Sequence, residues 1–167
     1  MGADIHTFIE RKMPSGNWAY MGNLDHAIHS KAFWGHDKPP NFGHMFYVVN
    51  GRNYQFFARL ASVRGDGRDP QGLPDDVSEM VQMFANAWEG DGHSHSWLSA
   101  SDFADDYYGV EALESGEEEP MTEYHQNTLR ADKNYAVLQF LQEMCGVSGI
   151  GEETQANEFR FVFWFDN

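Results

Sequence analysis

Asp4-Ile5-His6 and Asp91-Gly92-His93-Ser94-His95 repeat one pattern, a carboxylate followed at every second residue by an imidazole. On an extended backbone alternate side chains share a face, so each segment can aim oxygen and nitrogen ligands at one point. Zinc takes such ligands at about 2.0–2.2 Å, and a catalytic site uses three of them and keeps a position open for water. Asp4, His6, Asp91, His93 and His95 are therefore candidate ligands for a divalent ion, whether zinc, manganese or magnesium. Glu10, in alternation with Asp4 and His6, and Asp166 near the last residue are candidates for a base or an outer-shell carboxylate. Two facts weigh against the set: no spacing rule links positions 4 and 91, and Gly92 admits backbone conformations that break the alternation.

Other constellations are weaker. Asp25, His26, His29, His36 and Asp37 form a second acid and imidazole cluster, workable for a metal only if that stretch is helical. A two-histidine phosphoesterase needs His-x-Ser/Thr twice, and here Thr7 directly follows His6 while His95 stands two after His93. Strand alternation also sends Ser94 and Ser96 to the face opposite His93 and His95, which argues against a serine nucleophile. No glycine-rich phosphate loop, dinucleotide fingerprint or cysteine pair is present. Arg52, at the head of a helical stretch, and Arg64 near its end offer an anion site, with Arg52 the candidate to hold a phosphate.

The elements that must position these groups are legible in part. Residues 3 to 12 alternate as a strand, and Met13-Pro14-Ser15-Gly16-Asn17 turns the chain into a second strand through Trp18 and Tyr20. Residues 23 to 44 read as a His-rich loop or insertion, and Met45 to Val49 as a further strand. Tyr54, Phe57, Leu60 and Ala61 have helical spacing. Asp75 or Asp76 is placed to cap a helix facing Val77, Met80, Val81, Phe84 and Trp88 inward. Ser99 and Asp102 predict another helix starting near Ala100, and Tyr135, Leu138, Leu141 and Met144 predict one ending at Gly146. Residues 114 to 123 read as an acidic loop. Phe159, Phe161, Phe163 and Phe165 on one face, with Val162 and Trp164 on the other, describe a central strand covered on both sides. The class is α+β, a small, largely antiparallel sheet of an N-terminal hairpin and a central last strand, packed by about four helices in one domain over 1–167.

Composition narrows the partners. The 167 residues are 41% hydrophobic and 15% aromatic, which supports a folded core. Net charge is −15, and its distribution is uneven. Asp69 to Glu123 holds fifteen carboxylates and no Lys or Arg, leaving eleven acids and eleven bases elsewhere. Such a field disfavours direct nucleic-acid binding and favours cations or basic protein surfaces. No apolar run reaches the length of a membrane span, no basic-then-apolar leader opens the chain, and the single Cys145 cannot form an internal disulfide. A cytoplasmic, reducing setting is expected.

Gly2-Ala3-Asp4-Ile5-His6, Arg52-Asn53-Tyr54, Gly72-Leu73-Pro74-Asp75-Asp76-Val77-Ser78, Asp91-Gly92-His93-Ser94-His95-Ser96-Trp97-Leu98 and Phe165-Asp166-Asn167 together resemble an uncharacterised family of small phage and bacterial proteins. Its members tend to begin Gly-Cys-Asp-Ile-His and end Phe-Asp-Asn. The resemblance spans nearly the whole chain and implies a phage or prophage origin, hence the host cytoplasm, but it carries no established activity. Ala3 stands where the family often has cysteine, residues 23 to 44 look longer than usual, and His95 matches no fixed family position.

The leading expectation is a metal-dependent phosphoester or nucleotide hydrolase, with Asp4, His6, Asp91 and His93 on the ion, Asp166 or Glu10 as base or support and Arg52 on the anion. One alternative is a non-enzymatic acidic inhibitor that binds a basic host protein, such as a defence protein. Another is a protein that sequesters a small nucleotide without chemistry.

Overall fold

A strand with apolar side chains on both faces must be covered on both, and Phe159 to Phe165 is such a strand. In the computed structural model, which describes residues 2–24, 52–115 and 132–167, every residue from Phe159 to Phe165 is buried. Here β4 (Phe159–Asp166) is an interior strand of a four-stranded antiparallel sheet of order β2-β1-β4-β3. The others are β1 (Asp4–Lys12), β2 (Trp18–Asn23) and β3 (His93–Ser99). The described helices are α1 (Tyr54–Ala61), α2 (Glu79–Ala87), α3 (Ala100–Ser115) and α4 (Lys133–Glu143), and a single 3₁₀ turn over Ala156–Glu158 leads into β4. The expected α+β class, N-terminal hairpin and central last strand are all present. Expectations for Asp25, His26, His29, His36 and Asp37, for a strand at Met45–Val49 and for the acidic stretch beyond Ser115 fall outside the described residues.

The sheet's two faces are packed unequally. Ile5, Ile9, Phe161, Phe163 and Phe165 face α1, α3 and α4, whose Phe57, Phe103 and Phe140 complete the larger core. The Phe103 ring lies 3.9 Å from that of Phe161 and is nearly parallel to it. Phe8, Val162 and Trp164 on the opposite face meet Val81 and Ala85 of α2, with Phe84 and Trp88 at the margin. Each fully buried Phe or Val side chain is worth about 1.5–3 kcal/mol of transfer free energy, so the sheet holds both layers. Among the described residues no helix is long and apolar enough to cross a membrane.

Local chemistry sets the element ends. Gly16, at φ 88°, supplies the left-handed residue of the β1–β2 turn, which is closed by Met13 N donating to Asn17 O at 2.8 Å. Ser99 Oγ accepts from Asp102 N at 3.1 Å and starts α3 where the sequence predicts. Gly146, at φ 69°, ends the turn after α4, and Val147 N bonds back to Leu141 O at 2.9 Å. One cap differs from expectation: Ser78, rather than Asp75 or Asp76, caps α2 by accepting from Val81 N. Asp76 is occupied elsewhere, accepting from Arg160 Nη1 at 2.7 Å and from Trp18 Nε1 at 3.0 Å. Met80 also turns outward, 43% exposed, and Tyr135 on α4 is 54% exposed, so helical spacing overstated both inner faces.

Glu10 and Arg160 explain how a charged pair survives inside this core. Arg160 Nε donates to Glu10 Oε2 at 2.7 Å, and Glu10 Oε1 accepts from the backbone N–H of Ser78 at the same distance. The guanidinium lies 3.9 Å from the Trp18 ring centroid and also donates to the Asp76 carbonyl. Every strong donor and acceptor of the pair is engaged, which is the condition for burying charge. The pair pins the start of α2 to the sheet. Glu10→Ala, which leaves the buried Arg160 with only the exposed Asp76 as counter-charge and Ser78 N–H without its acceptor, is expected to cost about 3–5 kcal/mol. Replacing both residues with apolar side chains should recover most of that loss. Urea unfolding reads both variants, and a single-variant cost below about 1 kcal/mol would contradict the structural role.

Candidate functional site

The start of β1, the end of β4 and the start of β3 come together at one end of the sheet, because Asp4 pairs with Asp166 and His93 with Phe165. At that end Arg52 clasps Asp4, donating from Nε to Oδ1 at 2.7 Å and from Nη2 to Oδ2 at 3.0 Å. This hydrogen bonding, with the charge of Asp4, holds the Arg52 pKa above its ordinary value. Gly2 lies directly beneath the guanidinium, where a Cβ would collide with it. Ala3 N donates to Tyr54 Oη at 3.4 Å, so the head of α1 and the first residues of β1 are tied twice. Arg52 is therefore a clamp on Asp4.

His6 faces the smaller core. Its ring centroid is 3.9 Å from that of Trp88 and 6.0 Å from that of Trp164, and it is almost fully buried. Its Nε2 is 3.6 Å from Asp166 Oδ2, an approach of opposite charges only when the ring is protonated and beyond ordinary hydrogen-bond length.

A bulge in β3 decides where the other histidines go. His93 pairs with Phe165 and Ser96 with Phe163, so Ser94 and His95 together oppose Trp164. Ser94 takes the extra residue at φ 52°, a left-handed conformation that costs a residue with a Cβ on the order of 1–3 kcal/mol. The insertion reverses the alternation. His93 stacks toward Phe165 on the larger-core face, while His95 stacks on Trp164 on the opposite face, with ring centroids 6.3 and 5.5 Å apart. The expectation that Asp91, His93 and His95 share a face is thus corrected, and so is the expectation that Ser96 lies opposite His93. Asp91 is exposed in the turn before β3.

The sequence-predicted ligands therefore occupy separate surroundings. Asp4 is held by Arg52, His6 lies on the Trp164 face, and His93 lies on the Phe165 face. Glu10 is six residues along β1 from Asp4, about 20 Å at the rise of a strand, and belongs to the Arg160 pair. Among the described residues, no three His, Cys, Asp or Glu side chains are grouped so as to hold an ion.

What does converge is a different set. An open cleft of about 430 Å³ at the same sheet end is lined by Ser62, Val63, Arg64, His93, Ser94 and Asn167. Arg64 Nη2 donates to Asn167 Oδ1 at 3.4 Å, and His93 Nδ1 lies 3.0 Å from Ser94 Oγ. Among the described residues, the buried His93 Nε2 has no hydrogen-bond partner. The backbone that presents these groups is tightly turned: Ser62 ends α1 at φ 55° and Arg64 follows at φ 63°. Of these residues, His93 and Arg64 are candidates from the sequence, Ser94 is set aside there on the strand alternation that the bulge breaks, Asn167 enters only as the end of the Phe165-Asp166-Asn167 motif, and Ser62 carries no pattern. Comparison with family models, with curated proteins and with solved structures finds no match to this chain.

His95 gives a check on the bulge. Burial against Trp164, and secondarily the charge of His93, lower its pKa from the ordinary 6.5. A depressed folded value means that this contribution to stability is complete above the unfolded pKa and declines as pH falls toward the folded one. NMR titration should place the His95 midpoint below 6.5, and His93→Asn should leave most of the depression because burial is its larger cause. A midpoint that returns fully to 6.5 in that variant would show His95 to be solvated, and the bulge geometry to be wrong.

Proposed function

We propose that the protein binds a small anionic ligand of the phosphate or nucleotide class in the cleft lined by Arg64, His93, Ser94 and Asn167. The observation that carries this reading is the convergence of a guanidinium, an imidazole, hydroxyls and an amide in one open cavity of about 430 Å³. The depression is open to solvent rather than enclosed, so it suits a small ligand that keeps one side in water. Arginine presents planar, paired donors that match phosphate or carboxylate oxygens, and the asparagine amide nitrogen adds a directional donor. Arg52 supports the site indirectly: by neutralising Asp4 it removes one of the two carboxylates at the sheet end.

The metal-dependent hydrolase would require Asp4, His6, Asp91 and His93 to share one ion, and their placement on two faces of the sheet favours the binding role instead. The acidic partner-binding reading draws support from exposed Asp75, Glu79, Glu89, Asp91, Asp102 and Asp105. Solvated charge of that kind also serves solubility alone, and no cavity collects it.

Calorimetric titration with inorganic phosphate and with a nucleoside monophosphate tests the proposal. Saturable binding is expected, unaffected by a chelator. Arg64→Ala should weaken it by about 10- to 150-fold, the equivalent of a charged hydrogen bond worth about 1.5–3 kcal/mol. Glu10→Gln, at the far end of β1, should leave it unchanged. Absence of saturable binding, or an unaltered affinity in Arg64→Ala, would refute the assignment.

A further inference from the structure

We propose that Ser94 is a nucleophile with His93 as its base, and that the cleft hydrolyses small carboxylic esters. The preference for esters that carry a negative charge rests on the anion-binding reading; the nucleophile itself does not. Ser94 Oγ and His93 Nδ1 are 3.0 Å apart, within the reach a base needs to take a hydroxyl proton. Both side chains line the open cleft, with Arg64 and Asn167 beside them. The contact exists only because of the bulge, since on a regular strand these neighbours would point to opposite faces.

Backbone conformation supplies a second, independent observation. The first residue of a bulge in the left-handed region is ordinarily glycine, yet here it is serine at φ 52°. Strain of this kind persists where the surroundings fix it and clusters at functional sites; Ser62, Arg64 and Ser94, all left-handed, line this cleft. Asn167 accepts from Arg64 through Oδ1, which leaves its amide nitrogen as the end able to donate to a developing oxyanion. Arg64 is the anchor for an anionic group elsewhere on the substrate.

The chemistry balances with water as the only co-reactant. Ser94 Oγ attacks the ester carbonyl carbon as its proton moves to Nδ1 of His93, and negative charge gathers on the carbonyl oxygen. The bond from that carbon to the alcohol oxygen breaks, and the departing alcohol takes the proton from His93, leaving an acyl group on Ser94. Water then gives a proton to His93 and attacks the acyl carbon. Ser94 leaves, recovers the proton from His93, and a carboxylic acid is released. Among the described residues no carboxylate accepts from His93 Nε2, so the proposed pair is a dyad there. In a serine protease, spoiling the third member lowers kcat by about 10⁴-fold, and turnover here is correspondingly slow. Covalent capture is the more sensitive readout.

The test uses a neutral alkyl fluorophosphonate on the full chain, with the site located by peptide mass spectrometry. One phosphonyl adduct on Ser94 is expected. His93→Ala should slow its formation by about 10²–10⁴-fold, the range of general-base assistance. Ser94→Gly should abolish it while the urea midpoint stays level or rises, because glycine accepts the left-handed conformation without strain. In hydrolysis assays, Arg64→Ala should raise KM for 4-nitrophenyl hemisuccinate by a larger factor than KM for 4-nitrophenyl acetate, which loses only the Arg64 hold on Asn167. No adduct, an adduct on another residue, or undiminished labelling in His93→Ala would overturn the nucleophile even if phosphate binds. Labelling of Ser94 in a protein that binds no phosphate would uphold it and remove the anion-binding reading instead.

Discussion

Burial of β4 on both faces is the constraint from which the rest of the arrangement follows. Its Phe161, Phe163 and Phe165 require one layer of helices, and its Val162 and Trp164 require a second layer on the other side. A polar group along the interior of such a sheet has two options: it must be paired completely, or it must move to a strand end where water or a ligand can reach it. Arg160 takes the first, with Glu10, Asp76 and the Ser78 N–H all engaged. Asp166 and Asn167 take the second, at the point where β4 leaves its two covers.

Chemistry at the sheet end is then shaped by one backbone irregularity. Without the insertion at Ser94, β3 would send His93 and His95 to the same face, one of them competing with the core. With it, His95 rests on Trp164, His93 on Phe165, and Ser94 comes level with His93 Nδ1. The outer side of β3 is also held in place, since Gly72 N donates to His95 O at 2.8 Å and Gln71 N to Ser96 Oγ at 3.2 Å. The bulge is bonded on one side to β4 and on the other to Gln71 and Gly72, so its geometry is imposed by its surroundings.

The elements were legible where a period is long and apolar. β1, the hairpin turn, the start of α3 and the two-faced β4 all carry their own signals, and each sits where those signals place it. The cap of α2 was misread because Asp76 is recruited across the fold by Arg160, a contact 84 positions away that no local pattern displays. The site was legible only as a location. Gly2 to His6, Arg52 to Tyr54, Asp91 to Leu98 and Phe165 to Asn167 do meet at one sheet end, but the ligand set proposed from them depends on strict alternation through residues 93 to 96. A single left-handed serine undoes that, and serine, unlike glycine, gives no warning in sequence. The same insertion that separates His93 from His95 creates the Ser94 contact, so one missed residue accounts for both the lost constellation and the gained one.

Electrostatics set the scale of ligand such a site can take. With a net charge of −15, the molecule as a whole repels anions at long range, and the repulsion grows with the ligand's own charge. At physiological salt that field is screened beyond about 8 Å, whereas a guanidinium in contact with an anion acts at hydrogen-bond distance. For a long polyanion, the repulsion by the overall negative charge acts on every phosphate, while only the phosphate in contact gains from Arg64. For a small anion the whole charge can sit against Arg64, and the unfavourable field is met only on approach. On the proposed anion-binding reading, the overall negative charge therefore opposes a polyanion more than a compact, singly or doubly charged ligand. The price falls on association rate more than on the bound state, because the repulsion acts chiefly before contact is made.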